Sequence, residues 1–437
     1  MTSAVARRQR LQSSIARKDP RPSVAINVIL HADGMADHPR QELGGRTPLQ
    51  VASTPHLDRL AQGGELGLLA AVPQNMRQGS GLMGTIILGY DPKKYYQGPG
   101  PFEAASLGVA IGEHDVVYRC TMVTLRADAQ FGSKGGLNEI KKLGPHVVMD
   151  DATAGLISTE EARELIEAIN EQLGSEMIQF YPGLGHRHLM VWVNGKSRAV
   201  CTDPQLLVGR PIADALPTGD GSDILWKLMD ASFQILRDHP LNDERREAGQ
   251  KAANCLWLWG QGRAILWPSL SERLKMSGVV VSQSDVHRGL GIMAGLEAVD
   301  GARLAGADLR TQAAVALEEL KKNDFAYVHV ELPDEVVYGS DVAAKVKGIE
   351  AVDRDLVGPL LEGLAKLGPH RIVAFCDSGN VHHGQAAEGP GFFAYRDSAT
   401  APAAGAGRRF IEVDAQASTV PSRDATKFVV RLFAKGS

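Results

Sequence analysis

The sequence is poor in cysteine, nearly balanced in charge and without a long hydrophobic run. Its four cysteines among 437 residues are far apart and form no Cys-x-x-Cys pair, which indicates reduced thiols in a cytoplasmic protein. The net charge of -4 gives no reason to expect a nucleic acid or a membrane surface as a partner. No run reaches the roughly 18 apolar residues that a membrane-spanning helix needs.

The first 23 residues differ from the rest of the chain. Residues 1–23 are rich in arginine and contain no apolar segment, which is not typical of a secretory signal peptide. We interpret them as a mobile basic tail ahead of the first strand. A transit peptide is the alternative, because arginine and serine are present while acidic residues are scarce.

Apolar segments typical of buried parallel strands alternate with amphipathic segments along the remaining chain. The first strand is predicted at residues 24–30, and residues 54–61 form a predicted helix that Thr54 can cap. Further strands are predicted at 255–259, 278–281, 325–330 and 371–375, with helices at 224–236 and 309–322. This alternation predicts an α/β fold with a mostly parallel sheet that helices cover on both faces.

The pattern changes in the middle of the chain. Strand-like segments at 116–123 and 188–193 surround a helix that opens at Ser158 with a capping box. This predicts a small inserted α+β cap domain. The predicted organisation is a tail at 1–23, a core domain formed by 24–111 and 197–437, and a cap domain at 112–196.

Three predicted strands end in an aspartate, namely Asp33, Asp334 and Asp377. Because parallel strands in one sheet end at the same edge, these carboxylates are expected to lie close together. Carboxylate oxygens are preferred ligands of divalent cations. The sequence therefore predicts a metal site at this edge.

Short motifs in a fixed order extend this prediction. They lie at residues 33–34, 42–49, 54–58, 79–80, 88–92, 96–104, 185–187, 325–334 and 345–350. Over roughly residues 24–395 they resemble the archaeal-type 2,3-bisphosphoglycerate-independent phosphoglycerate mutases of the alkaline phosphatase superfamily. The resemblance implies an alkaline-phosphatase-like core.

The resemblance also implies a mechanism, in which a serine accepts a phosphoryl group beside two divalent metals held by aspartates and histidines. Matched position by position, it implies one nucleophile, three metal ligands, two substrate-binding residues and one basic catalytic residue. These are, in that order, Ser80, the aspartates Asp33, Asp334 and Asp377, the pair His186 and Arg187, and Arg288, which stands where the family usually has a lysine.

The chain departs from the family at several of these sites. Gly81 stands where the family has an aspartate, and Tyr338 and Ser378 stand where it has metal-binding histidines. Segments 98–100 and 151–156 lack the arginines that bind phosphate in the family. These departures predict that the chain is not an ordinary glycolytic mutase.

Other histidines are candidates to rebuild a smaller metal site. His31 lies two positions before Asp33, so strand alternation points both side chains to the same face. With His383 of the His382–His383 pair they would form one centre for Mn²⁺, Zn²⁺ or Mg²⁺. The alternative is that His31 forms a hydrogen bond with a neighbouring residue, that His382 and His383 lie on a solvated loop, and that no metal is bound. His329 is interpreted as a core histidine with satisfied hydrogen bonds.

Two classes of function follow. The first is a divergent enzyme that handles a small phosphorylated or carboxylated metabolite between core and cap. The second is a catalytically inactive homologue that binds a ligand or a partner subunit, with a homo-oligomer as one form of it. An active metal-dependent phosphoglycerate mutase remains as a further alternative.

Overall fold

The protein is described by a computed structural model. The structure describes residues 25–69, 80–128, 140–333, 336, 341–377, 391–400 and 407–433. The sequence predictions for Asp334, Tyr338, Ser378, His382 and His383 lie outside these residues and stay predictions. Within the described part, no helix combines the length and the apolar character needed to cross a membrane. The predicted cytoplasmic location is not tested by this finding.

The described residues contain a larger and a smaller β-sheet. The strands are β1 Ile26–Asp33, β2 Glu65–Leu68, β3 Val116–Ala127, β4 Val147–Asp151, β5 Ile178–Leu184, β6 Arg187–Trp192, β7 Cys255–Gly262, β8 Gly278–Val281, β9 Glu297–Ala298, β10 Phe325–Glu331, β11 His370–Cys376 and β12 Phe392–Asp397. The larger sheet has seven strands in the order β2-β12-β11-β1-β10-β8-β9. Strands β11, β1, β10, β8 and β9 run parallel, and β12 and β2 form an antiparallel edge. The predicted mixed α/β fold with a mostly parallel sheet is confirmed.

Helices cover the larger sheet and pack on the smaller one. They are α1 Pro48–Val51, α2 Pro55–Gly63, α3 Leu82–Ile87, α4 Pro92–Tyr95, α5 Gly100–Leu107, α6 Thr159–Leu173, α7 Ser222–Leu236, α8 Pro240–Glu247, α9 Leu270–Leu274, α10 Asp285–Met293, α11 Gly301–Leu304, α12 Leu309–Leu320, α13 Val342–Ala351, α14 Gly358–Leu367, α15 Glu412–Gln416 and α16 Ala425–Phe433. A π-helical segment, Val352–Val357, joins α13 to α14.

The central strand β1 shows why the sheet is buried on both faces. Val28 and Leu30 point into one apolar cluster, and Ile29 points into another on the opposite face. All three side chains are fully buried, as expected for a parallel strand between two helix layers. His31 and Asp33 follow Ile29 in the alternation and therefore extend along its face.

The smaller sheet contains β4, β3, β6, β5 and also β7, which pairs with β3. Residues 255–259 had been predicted as a strand of the core, but β7 and α7 contribute to the same apolar cluster as β3. The predicted boundaries of the cap stay a prediction. On the strand pairing, we propose to extend its end from residue 196 to Gly262.

Helix α2 is capped from a distant segment. Thr54 occupies the N-cap position, as predicted, but its side chain makes no capping hydrogen bond. The carboxylate of Asp353 accepts hydrogen bonds from His56 N at 3.1 Å and Leu57 N at 2.8 Å instead. Asp353 is only 1% exposed, so these two bonds tie α2 to the π-helical segment.

We therefore expect Asp353→Ala to destabilise the protein by about 1–2 kcal/mol, the cost of losing a helix cap. Thr54→Val, at the position of the predicted cap, is the matched control and is expected to cost less. Urea denaturation of both variants measures the difference. An equal loss in the two variants would contradict the assignment of Asp353 as the cap.

Candidate metal and phosphoryl-transfer site

The candidate site lies at the carboxyl ends of the three central strands of the larger sheet. In the register of the sheet, His31 on β1 lies beside His329 on β10, and Asp33 lies beside Glu331. Asp377 follows β11, the strand on the other side of β1. Because side chains alternate along a strand, these five residues share the face of the sheet that carries Ile29.

Three buried histidines form the inner part of the site. His31 and His329 come from the sheet, and His287 comes from the first turn of α10. The ring centroids of His287 and His329 are 3.4 Å apart, and that of His31 lies 5.4 Å from His287 and 5.1 Å from His329. Each residue is 1% exposed. The sheet and α10 therefore bring three imidazoles together in a water-excluded space.

Each histidine has one ring nitrogen next to a hydroxyl group. The Nδ1 atoms lie 3.0 Å from the Tyr327 hydroxyl for His31, 3.0 Å from the Ser282 hydroxyl for His329 and 3.4 Å from the Ser284 hydroxyl for His287. The three Nε2 atoms have no hydrogen-bond partner among the described residues. Each Nε2 atom is thus available to form a hydrogen bond or to bind a metal ion.

Two carboxylates lie next to the imidazoles. Asp377 Oδ2 is 3.5 Å from His31 Nε2, and Asp33 Oδ2 is 3.5 Å from His329 Nε2. These separations are longer than ordinary N–H···O hydrogen bonds. Asp377 is 6% exposed, and its pKa is raised, first by burial and then by repulsion from Asp33. A positive charge in this space would stabilise both carboxylates.

The histidines differ in their affinity for protons. Burial lowers the pKa of His287 and His329 well below the usual value, and repulsion from the neighbouring histidines lowers it further. For His31, burial also lowers the pKa, but attraction to Asp377 and, more weakly, Asp33 leaves it raised. Neutral imidazoles are the form of histidine that binds metals.

The side chains form three overlapping groups that could hold a metal ion. They are His31 with His287 and His329; Asp33 with His287, His329 and Glu331; and His31 with Asp33 and Asp377. In each group the ligand atoms lie within 4.8 Å of one another. The last group contains the predicted ligands His31, Asp33 and Asp377, which the structure brings together.

Comparison with known proteins decides the family. A family model described as 2,3-bisphosphoglycerate-independent phosphoglycerate mutase matches residues 61–242. A relative from Geobacter sulfurreducens named "Probable 2,3-bisphosphoglycerate-independent phosphoglycerate mutase" is 41% identical over 353 residues, covering 80% of this chain and 85% of the relative. The chain belongs to the 2,3-bisphosphoglycerate-independent phosphoglycerate mutase family. A family member from Methanothrix thermoacetophila is 38% identical over 344 residues, covering 78% of this chain and 82% of its own.

Solved structures agree with this fold. A protein from Pyrococcus horikoshii aligns with a TM-score of 0.70 at 22% identity and covers 94% of this chain and 98% of its own. The cofactor-independent phosphoglycerate mutase from Thermoplasma acidophilum aligns with a TM-score of 0.54 at 23% identity and covers 94% of this chain and 100% of its own. At these identities the likeness concerns the fold alone.

Ser80, the nucleophile predicted from the sequence, lies just before α3. This helix packs on the histidines so closely that a Cβ atom added to Gly84 would lie 3.0 Å from the Tyr327 hydroxyl and 3.1 Å from His287 Cδ2. Ser80 therefore directly precedes the turn that leads into a helix packed on the histidine cluster.

Gly81, which stands in place of the family's aspartate, has a conformation that favours glycine. Its φ is +83°, and an added Cβ atom would lie 2.8 Å from Val286 Cγ1. A left-handed backbone costs roughly 1–2 kcal/mol for other residues. A side chain at this position would therefore meet both the cost of the backbone conformation and the contact with Val286.

We expect Gly81→Ala to destabilise the protein by about 2–3 kcal/mol, from the backbone conformation and from the overlap with Val286. Gly108→Ala is the matched control, because Gly108 has a φ of +70° but open space around its Cα. Denaturant unfolding of the two variants separates the two costs. Equal losses would show that α3 and α10 move apart without cost.

The remaining predicted site residues lie in other surroundings. Arg288 donates hydrogen bonds to the Ser106 hydroxyl and to Asp285 Oδ1, both at 2.7 Å. Arg288 thus forms its ion pair with Asp285, not with the site carboxylates Asp33 and Asp377. His186 and Arg187 lie at the turn between β5 and β6, in the smaller sheet.

Sequence reasoning missed two members of the cluster. His329 had been interpreted as a core histidine with satisfied hydrogen bonds, but its Nε2 faces Asp33 without one among the described residues. His287 was not considered, although it falls on the apolar face of α10 with Leu290. Two sequence features indicate these residues. Tyr327, His329 and Glu331 alternate along one face of a strand, and His287 is a histidine on an otherwise apolar helix face.

Proposed function

We propose that this chain is a metal-dependent phosphoryl-transfer enzyme that acts on a small phosphorylated metabolite between core and cap. We further propose that its metal site departs from the usual pattern of its family and that it is not an efficient phosphoglycerate mutase. The observation that carries the proposal is the convergence of Asp33, Asp377 and His31 beside the helix that follows Ser80.

The site carboxylates support a bound cation. Asp33 and Asp377 lie close enough for repulsion to raise the pKa of Asp377, and two carboxylates at such a distance disfavour joint ionisation. Arg288 is bonded to Asp285 and Ser106. A divalent ion held by His31, Asp33 and Asp377 would neutralise the pair, and these oxygen and nitrogen donors suit Mn²⁺ or Zn²⁺.

A chain of neighbours from Ser80 through Tyr96 to Arg119 on the smaller sheet supports a substrate site between core and cap. The Tyr96 hydroxyl donates a hydrogen bond to the Ser80 carbonyl oxygen at 3.2 Å. Tyr96 is near enough to Arg119 on β3 for the guanidinium to oppose the rise in its pKa that burial causes. Burial, with repulsion from Arg187 and Arg119, lowers the pKa of His186 to about 3. Arg187 is exposed on the smaller sheet beside this neutral imidazole, and its positive charge would attract a phosphate or carboxylate.

The proposed chemistry assigns each group one task. Ser80 Oγ attacks the phosphorus atom as the bond from phosphorus to the substrate oxygen breaks, and the serine proton passes to that oxygen. A hydroxyl group of the substrate or a water molecule then takes the phosphoryl group from the serine and returns a proton to Ser80 Oγ. A bound metal would supply stabilisation of the charge on the phosphoryl oxygens. Asp33, Asp377 and His31 hold it, and Arg187, which is exposed at its turn, orients the anionic end of the substrate.

The buried histidines disfavour the alternative of an inactive homologue. The Nε2 atoms of His31 and His329 face carboxylates only at 3.5 Å, and that of His287 has no hydrogen-bond partner among the described residues. A buried polar atom left unsatisfied costs about 1–3 kcal/mol. A chain without a ligand at this site would be expected to replace at least one imidazole by an apolar side chain. The names of the relatives keep an active phosphoglycerate mutase as the second candidate.

The decisive assay compares two activities of the metal-supplemented protein. We expect hydrolysis or transfer from a panel of small phosphate esters, and we expect Ser80→Ala to lower it by at least about 100-fold. We also expect interconversion of 2- and 3-phosphoglycerate below about one turnover per second, the lower end for typical enzymes. Faster interconversion would establish the second candidate. Activity that survives Ser80→Ala would exclude a serine nucleophile.

A further inference from the structure

We propose that His31, His287 and His329 together bind one transition-metal ion of the Zn²⁺ class through their Nε2 atoms. Asp33 lies beside the fourth coordination position in this arrangement. The inference rests on the proposed function for the chemistry of the site. It differs in the metal ligands, because His287 and His329 take the place of Asp33 and Asp377 beside His31.

The orientation of the rings is the first argument. Within the described residues, the three Nε2 atoms lack hydrogen-bond partners although each side chain is almost completely buried. Native proteins rarely bury unpaired polar atoms, and three in one place indicate a missing ligand. One ring nitrogen from each histidine lies within 4.8 Å of the others, whereas tetrahedral ligands about 2.1 Å from an ion are about 3.4 Å apart. The rings of His287 and His329 are stacked with 14° between their planes, so metal binding requires one of them to tilt until the two lone pairs converge.

The hydroxyl groups behind the rings are the second argument. The Ser282 hydroxyl lies 3.4 Å from the Ser284 carbonyl oxygen, to which it can donate its proton. Its oxygen is then free to accept a hydrogen bond from Nδ1–H of His329. Tyr327 and Ser284 lie in equivalent positions behind His31 and His287. Such partners hold Nδ1 protonated and leave the Nε2 lone pair for a metal.

The donor types indicate the class of ion. Three imidazole ligands favour Zn²⁺ and similar transition metals over Mg²⁺, which prefers oxygen ligands. Asp33 belongs to one candidate group with His287 and His329 and to another with His31. It therefore borders the position at which water or a substrate oxygen would complete the coordination.

The test uses the full-length chain, stripped of metal and titrated with Co²⁺ as a spectroscopic substitute for Zn²⁺. We expect one Co²⁺ per chain, with the visible absorption of a four- or five-coordinate ion. His287→Leu and His329→Leu are each expected to weaken binding by more than about 100-fold, beyond the roughly 10- to 100-fold loss expected for removing a supporting hydroxyl in Ser282→Ala. Calorimetry supplies the affinities.

His188→Leu is the matched control. His188 is also 1% exposed, but it lies on β6 and accepts a hydrogen bond from Gly183 N at 3.0 Å. We expect this variant to bind Co²⁺ like the unmodified chain. Circular dichroism checks that the variants fold. If a histidine variant does not fold, the Co²⁺ affinity of Ser282→Ala, which keeps every imidazole, still tests the inference.

The outcomes separate this inference from the proposed function. If both histidine variants bind Co²⁺ unchanged while Asp33→Asn does not, a carboxylate centre holds the ion, and this inference is wrong while the proposed function stands. If the histidine variants lose the ion but no phosphate ester is turned over, the three-histidine centre is correct and the proposed function fails. Absence of Co²⁺ binding by the unmodified chain would overturn the inference outright.

Discussion

Removing metal from the purified chain is expected to lower its melting temperature by several degrees. An ion that binds only the folded state adds roughly 2.7 kcal/mol when its concentration is 100 times its dissociation constant. For a domain of 150–250 residues, about 1 kcal/mol corresponds to roughly 2–4 °C, and the shift per kcal/mol is smaller for a longer chain. Differential scanning fluorimetry with and without chelator measures the change.

Restoring Zn²⁺ or Mn²⁺ after dialysis is the control for this experiment, because it should return the original melting temperature. A chelator that acted on the protein in another way would leave the loss irreversible. An unchanged melting temperature, together with no metal in the protein as purified, would favour the inactive homologue over the enzyme.

Disrupting the ion pair between Arg119 and Glu103 is expected to destabilise the protein by about 3–5 kcal/mol, since it leaves a buried charge unpaired. The guanidinium donates from Nε to Glu103 Oε2 at 2.9 Å and from Nη2 to Oε1 at 2.6 Å. It also lies 4.7 Å from the centre of the Trp259 ring. Arg119 belongs to β3 of the smaller sheet and Glu103 belongs to α5. The ion pair therefore connects the smaller sheet to this helix.

Arg119→Met in urea denaturation tests this expectation. Arg303→Met is the matched control, because Arg303 pairs with Glu318 and Glu319 on the surface, where ion pairs contribute little. Adding Glu103→Leu to Arg119→Met should recover part of the loss by removing the unpaired carboxylate. A loss similar to that of the control would show that water enters and solvates Glu103.

The sequence predicts the parts of the fold that depend on local patterns. Alternation along residues 24–30 and 325–330 is enough to predict buried parallel strands, and the same period predicts that His31 and Asp33 share a face. The capping box at Ser158 is likewise local, and the structure contains both of its hydrogen bonds. These features involve residues a few positions apart.

The features that sequence reasoning missed depend on contacts between distant segments. Asp353 caps α2 across 297 residues of chain, and β7 pairs with β3, which begins more than a hundred residues earlier. His287 contributes to the site only because α10 packs with that side turned toward the sheet. No local sequence pattern specifies such distant partners. The motifs therefore predict at which edge of the sheet the site lies, but they do not predict every side chain that forms it.

The two sheet-borne histidines have a consequence for how this protein can change during evolution. His31 and His329 lie within β1 and β10, which are bonded to neighbours on both edges. Backbone ladders of this kind hold their side chains in place regardless of the length of the connecting loops. Insertions and deletions in those loops can therefore alter which molecule is admitted while the spacing of the imidazoles stays constant. Substrate preference and metal binding are thus free to diverge separately.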